Sequence, residues 1–194
     1  MKDTLFAIGE ALIDFIPKEK GCKFSEVSAF SPKVGGAPAN VLGAFAKLGG
    51  KTQLITQLGN DPFGDKISEE LSSYGIGLDY VMRTNEANTA LAFVSLDKSG
   101  DRTFSFYRNP SADMLYDGGN LKSSDFEDCY ALHFCSVSLG DFPMKEAHKK
   151  AISYAKENGA IISFDLNIRL PLWNDEKKLR SAINEFLPLA DIVK

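Results

Sequence analysis

Three cysteines, two histidines and a single tryptophan are all that this chain of 194 residues holds of its rarest types, and the scarcity excludes a good deal. Cys22, Cys129 and Cys135 are odd in number and show no metal-ligand spacing, so neither a disulfide framework nor a zinc site is expected. Cys129 and Cys135 flank or lie within the apolar run 130–137, where a buried free thiol is the common case. His133 is embedded in that run and His148 in a charged helical stretch. Neither has a nucleophile to serve, and both read as structural; Trp173 reads as packing. No apolar run approaches the ~20 residues needed to span a bilayer. The net charge of −4 gives no reason to expect nucleic acid or an acidic membrane as partner. Met1-Lys2-Asp3-Thr4 leads straight into a short apolar strand without the layout of a signal peptide, which makes a cytoplasmic protein the expectation.

What is present is ordinary for a globular protein: 44% hydrophobic and 25% charged residues, on a chain long enough to bury a substantial core. Strand and helix patterns alternate. Residues 5–8 predict a short apolar strand, 41–48 an amphipathic helix closed by Gly49-Gly50, and 52–58 a second strand. In 65–74, Ile67, Leu71 and Tyr74 have helical spacing. Further on, 131–137 predicts a strand, 144–158 a helix stopped by Gly159, 160–165 a strand and 175–187 another amphipathic helix. Repeated β-α units of this length imply a largely parallel sheet with helices on both faces. Two stretches break the rhythm. Residues 23–33 alternate loosely, and 90–107 read as a hairpin around Asp97-Lys98-Ser99-Gly100-Asp101. Such strands do not readily join a parallel sheet and are expected to form a small β flap over one end of it.

The most informative stretch is Gly35-Gly36-Ala37-Pro38-Ala39-Asn40. Paired glycines let the backbone approach a ligand and adopt φ > 0, and Pro38 is preorganised for the first helical turn, whose N–H groups favour polar ligands. Alone, the segment is equally well a plain strand-to-helix connection. Its company matters: Asp14 upstream, Gly59-Asn60-Asp61-Pro62-Phe63-Gly64 downstream, and Phe106-Tyr107-Arg108-Asn109-Pro110-Ser111-Ala112-Asp113 further on. With that spacing the chain resembles the N-terminal part of a PfkB (ribokinase-like) carbohydrate kinase over essentially its whole length, and the tract 106–115 favours the fructokinases among them. Leu42 departs from the family pattern, which has a small residue there; this bears on helix packing rather than chemistry.

The resemblance implies an α/β, ribokinase-like fold: one domain over 1–194, with lid strands inserted at about 23–33 and 90–107 and the C-terminal part missing. It implies ATP-dependent phosphorylation of a small sugar, fructose to fructose 6-phosphate, with ATP and Mg2+ as cofactors and a monovalent cation as a further candidate. A homodimer through the lid is the implied assembly. Asp14, Gly35, Gly36, Asn40, Arg108 and Ser138 are then the sugar-side residues, with Ser136 a further candidate. Asp165 and Asn167 are expected on the cofactor side, and Arg169 on the transferring phosphate. Each has a plainer reading. Asp14 suits a solvated loop, Asn40 a helix N-terminus, Arg108 a structural pair, and Asp165 a strand-end salt bridge with Arg169. The family's second signature, with its catalytic base and anion hole, does not occur in these residues, so the chain by itself is expected to be inactive. Two alternatives stand beside fructokinase: a non-catalytic sugar-binding or dimerising fragment, and a related kinase for ketodeoxygluconate, ribose or a nucleoside.

Overall fold

The computed structural model describes residues 2–19, 21–96, 102–173 and 175–194. Its larger sheet contains β1 (Thr4–Ile8), β4 (Lys51–Gly59), β5 (Gly77–Thr84), β8 (Cys129–Cys135), β9 (Ile161–Asp165) and β10 (Ile192–Val193). Their order is β10-β9-β8-β1-β4-β5, every neighbouring pair parallel. A smaller sheet, ordered β3-β2-β6-β7, is built from β2 (Leu12–Pro17), β3 (Phe30–Gly35), β6 (Leu91–Leu96) and β7 (Arg102–Tyr107). The helices are α1 (Ala37–Lys47), α2 (Pro62–Ser73), α3 (Met144–Glu157) and α4 (Glu176–Phe186). No helix among the described residues is long and apolar enough to cross a membrane.

Alternation along β1 divides the core. Leu5 and Ala7 join Leu42 of α1 and Ile67 and Leu71 of α2. Phe6 and Ile8 turn the opposite way, into a larger cluster with Ala147, Ala151 and Ile152 of α3 and Leu179 and Phe186 of α4. Helices therefore cover both faces, as the β-α rhythm requires. Leu42, the departure from the family pattern, is fully buried in the first cluster.

The boundaries differ from expectation in instructive places. Helix α1 starts at Ala37 rather than near 41, so Asn40 sits in its first turn. Helix α2 starts at Pro62 rather than near 65, because Asp61 caps it. The Asp61 carboxylate accepts the N–H groups of Phe63 at 3.0 Å and Gly64 at 2.9 Å, and that of Thr89 at 2.7 Å from the loop before β6. Burial pushes this carboxyl up, but the amide donors outweigh it and leave it lowered. Asp61→Ala is expected to cost about 1 to 2 kcal/mol, read as a shift of the urea unfolding midpoint. Of the stretch 23–33, residues Phe24–Glu26 form a 3-10 turn, and the strand β3 begins only at Phe30. The turn expected at 97–101 lies outside the described residues.

Strand β2 is not legible in the sequence, yet it organises the small sheet. It pairs antiparallel with β3 and parallel with β6, placing Asp14 opposite Lys33 on one side and Ala92 on the other. The small sheet meets the carboxyl ends of β1, β8 and β9, the edge where open α/β sheets take their ligands.

Candidate active site

A recess of about 230 Å³ opens at that edge. Asp14 reaches it from β2, Gly36 and Asn40 from the start of α1, and Phe104 and Phe106 from β7. Val137, Asn167, Arg169 and Leu172 line it from the segments after β8 and β9, and Glu10, Leu12 and Ala37 complete it. The two phenylalanine rings stack with centroids 5.6 Å apart and an interplanar angle of 11°. The lining thus combines these apolar rings with residues that bear a carboxylate, amides and a guanidinium.

The paired glycines have separate tasks. A Cβ at Gly35 would overlap the Asp14 carboxylate, so the absent side chain leaves that group its place. Gly36 has φ +111 and caps α1, and a Cβ there would run into the Glu10 carbonyl oxygen. Both requirements are steric, and at Gly36 only glycine combines that backbone conformation with that closeness.

Five of the sequence candidates, Asp14, Gly36, Asn40, Asn167 and Arg169, therefore share one recess, with Gly35 beneath Asp14. Four others go elsewhere. The Ser138 hydroxyl is fully buried and donates to Glu10 Oε2 at 2.8 Å, and the Ser136 hydroxyl donates to the Leu166 carbonyl. Asp165 accepts the Asn167 N–H at 3.0 Å and faces the Lys194 ammonium at 3.6 Å. Extension ends at Asp165 and Asn167 takes φ 35, so the three residues do not follow one another along a continuing strand. The strand-end pair between Asp165 and Arg169 is replaced. Arg169 is exposed and donates to the Ile168 carbonyl at 3.0 Å.

Arg108 lies outside this recess. Its side chain is 4% exposed and ion-paired with Asp113, itself 1% exposed. Ser111 donates its hydroxyl to the same carboxylate. Burial works against the guanidinium charge, and the carboxylates of Asp113 and Glu10 overcome it, so the Arg108 pKa is raised. The structure thus contains the ion pair that the plainer reading of Arg108 supposes.

Two acidic residues absent from the sequence candidates take part in these contacts: Asp113, which pairs with Arg108 outside the recess, and Glu10. Glu10 lines the recess, is 2% exposed, and accepts the Ala37 N–H at 3.1 Å through Oε1. The Cys135 sulfur lies 3.8 and 3.7 Å from its two oxygens. Burial pushes the Glu10 carboxyl up, with Arg108 and the Ser138 hydroxyl pulling the other way. Its only sequence signal is a charged residue in the middle of the apolar stretch 5–13. His133 and His148 are buried, as expected of structural histidines, and the three cysteines are free. Among the described residues no group of three or more histidine, cysteine or acidic side chains is arranged to hold a metal ion.

The larger parallel sheet thus carries a second sheet over its carboxyl edge with a polar recess between them, and comparison with known proteins gives the family. The pfkB family carbohydrate kinase model matches residues 2–194, and the chain belongs to that family. It is 44% identical over 179 residues to a fructokinase of Solanum tuberosum, which covers 92% of this chain and 56% of the relative. The crystal structure of a fructokinase from Xylella fastidiosa superposes with a TM-score of 0.90 at 41% identity, covering 100% of this chain and 59% of that one. An E. coli structure described as a ribokinase II, in complex with ATP and Mg2+, gives 0.86 at 31% identity, over 98% of this chain and 61% of its own. The chain thus spans a little over half the length of the curated relatives it matches.

Proposed function

We propose that the protein carrying this chain transfers the γ-phosphoryl group of ATP to a primary hydroxyl of a small neutral sugar, fructose first among them. The observation that carries this reading is the recess itself, which Asp14, Asn40, Asn167 and Arg169 line together with Phe104 and Phe106. An ionised carboxylate accepts from adjacent sugar hydroxyls, and one amide both donates and accepts. The phenylalanine wall covers the apolar side of a sugar ring and displaces water from it. Asn167 and the exposed Arg169 offer donors suited to phosphate oxygens, and they are the residues of this chain that would meet the nucleotide. When bound, ATP with Mg2+ supplies the phosphoryl group and screens its charge. The work of this chain is to hold the hydroxyl in line with that group. Relatives named fructokinase support fructose in particular.

The Arg108–Asp113 pair favours a neutral substrate over an acidic one such as ketodeoxygluconate, because the cation best placed to meet a sugar carboxylate is already neutralised away from the recess. A homodimer through the small sheet belongs to the same proposal. Phe15 stacks on Phe93 there at 4.8 Å, and Phe24 and Tyr107 beside them are 47% and 64% exposed.

The test is an ATP-consumption assay on the native protein with fructose, ribose and ketodeoxygluconate. Fructose is expected to give the highest kcat/KM; no turnover with any sugar, or a preference for the acid, would refute the reading. Asp14→Asn is expected to lower kcat/KM for fructose about 10- to 100-fold, since a hydrogen bond to a charged group is worth ~1.5–3 kcal/mol. Most of that loss should fall on the fructose KM and little on the ATP KM.

A further inference from the structure

We propose that Glu10 is a positioning residue for the sugar recess: its buried carboxylate clamps the first turn of α1 to the carboxyl ends of β1 and β8. The consequence for substrate rests on the sugar-kinase reading, whereas the clamp itself does not. One side chain ties together segments far apart in the chain. Its Oε1 accepts the N–H of Ala37, the first residue of α1, at 3.1 Å, and its Oε2 accepts the hydroxyl of Ser138, in the turn after β8, at 2.8 Å. The thiol of Cys135, at the end of β8, lies within 3.8 Å of both oxygens.

Main chain and side chain act on the same turn. The Glu10 carbonyl lies so close to Gly36 that no Cβ fits between them, while the carboxylate holds the next N–H along. The turn is therefore fixed from two directions, and what it carries is the recess wall: Gly36 itself and, one helical turn on, Asn40, whose N–H bonds to the Gly36 carbonyl at 3.0 Å. Buried carboxylates are rare because desolvation is costly unless donors and an opposite charge compensate. Here three donors converge on the group, and the positive charge of Arg108 acts on it from the segment that follows β7. A simple packing role in this position would be filled at lower cost by an apolar side chain. The donor geometry is what an apolar residue cannot supply.

Two substitutions separate geometry from bulk. Glu10→Asp keeps the charge but is one methylene shorter and cannot span Ala37 and Ser138 together. Glu10→Gln keeps the length: its oxygen accepts from Ala37, and its amide N–H₂ donates to a Ser138 hydroxyl that rotates to receive it. In the native protein, Glu10→Asp should raise the fructose KM about tenfold with the ATP KM unchanged, and Glu10→Gln should restore it to within about threefold of the parent. A merely structural Glu10 would lower the active fraction and leave both KM values alone. Backbone amide exchange supplies a readout independent of catalysis: the segment 37–40 should exchange at least tenfold faster in Glu10→Asp and near the parent rate in Glu10→Gln. If Glu10→Asp fails to fold, Ser138→Ala removes one arm of the clamp and should raise both the exchange rate and the fructose KM severalfold. Unchanged exchange at 37–40 in the variant that folds, or equal rises in both KM values, would overturn the proposal. Failure of the unmodified protein to phosphorylate any sugar would refute the kinase reading, and the exchange data would still decide the clamp.

Discussion

Asp113→Ala is expected to destabilise the protein by about 3 to 5 kcal/mol, a large share of the ~5–15 kcal/mol that holds a typical domain together. The reason lies in what the substitution leaves behind. Arg108 and Asp113 have side chains only 4% and 1% exposed, so neither charge can turn to water when its partner is removed. The Ser111 hydroxyl loses its acceptor in the same step. Glu10 remains as a second carboxylate in the field of Arg108, which places the expected loss toward the lower end of that range. Removing both charges together is a different matter, because a buried ion pair contributes little net stability over apolar groups of similar volume. The double variant Arg108→Met with Asp113→Leu should therefore recover part of the loss, the remainder coming from Glu10, which loses the compensating charge of Arg108. Urea unfolding of the two single variants and the double variant, analysed as a cycle, reads the coupling directly. A loss below about 1 kcal/mol for Asp113→Ala would show that Arg108 reaches solvent in solution.

That pair also explains what sequence patterns reveal here and what they hide. Where an element is fixed by its own side chains, it is readable. The spacing of Met144, Ala147, His148, Ala151, Ile152 and Ala155 is a buried helical stripe, and Gly159 with φ +67 ends the run it predicts. The glycine pair at 35 and 36 is readable for the same reason, since its requirement is local. Strand β5, at the edge of the larger sheet, is not readable in this way. Strand β5 alternates between half-buried and exposed positions and carries Asp79 and Arg83, so it shows neither a continuous apolar run nor a clean two-residue period.

The site is legible only in part, because several of its roles are assigned by residues distant in sequence. Glu10 meets Ala37 27 positions away and Ser138 128 positions away. Nothing local in Gly9-Glu10-Ala11 marks its side chain as a buried acceptor. Arg108 has its partner only five residues on, but an arginine and an aspartate at that spacing outside a regular helix have no periodic relation. At the end of β9, one residue with positive φ decides the matter: Asn167 turns the chain so that it and Arg169 reach the recess while Asp165 stays behind with Lys194. The residue types of the site were readable. Their partners depended on topology.

Lowering the pH from about 6.5 to about 4 should remove about 3 kcal/mol of stability through His148 alone. The side chain is fully buried on the core face of α3, with its ring edge-on to Phe134 at 5.7 Å and to Phe186 at 6.4 Å. In its neutral form Nδ1–H donates to the Met144 carbonyl at 2.7 Å, one helical turn back. Burial pushes its pKa from 6.5 down to about 4, with the Met144 carbonyl acting weakly against the shift. The sign follows from the proton count. Between those two values the unfolded chain binds a proton at this position and the folded chain does not, so stability rises with pH across the window and is flat above it. His133 is lowered as well, mainly by burial, and adds to the same trend. Comparison within one background is therefore needed. His148→Leu keeps an apolar side chain between Phe134 and Phe186 and removes the titration, so the unfolding free energy of the variant should fall by about 3 kcal/mol less than that of the parent over this window. Urea titrations of both proteins at several pH values give the two slopes. Parallel slopes would mean that the ring is hydrated in the folded protein, and that the packing of α3 against β8 and α4 is looser than the structure has it.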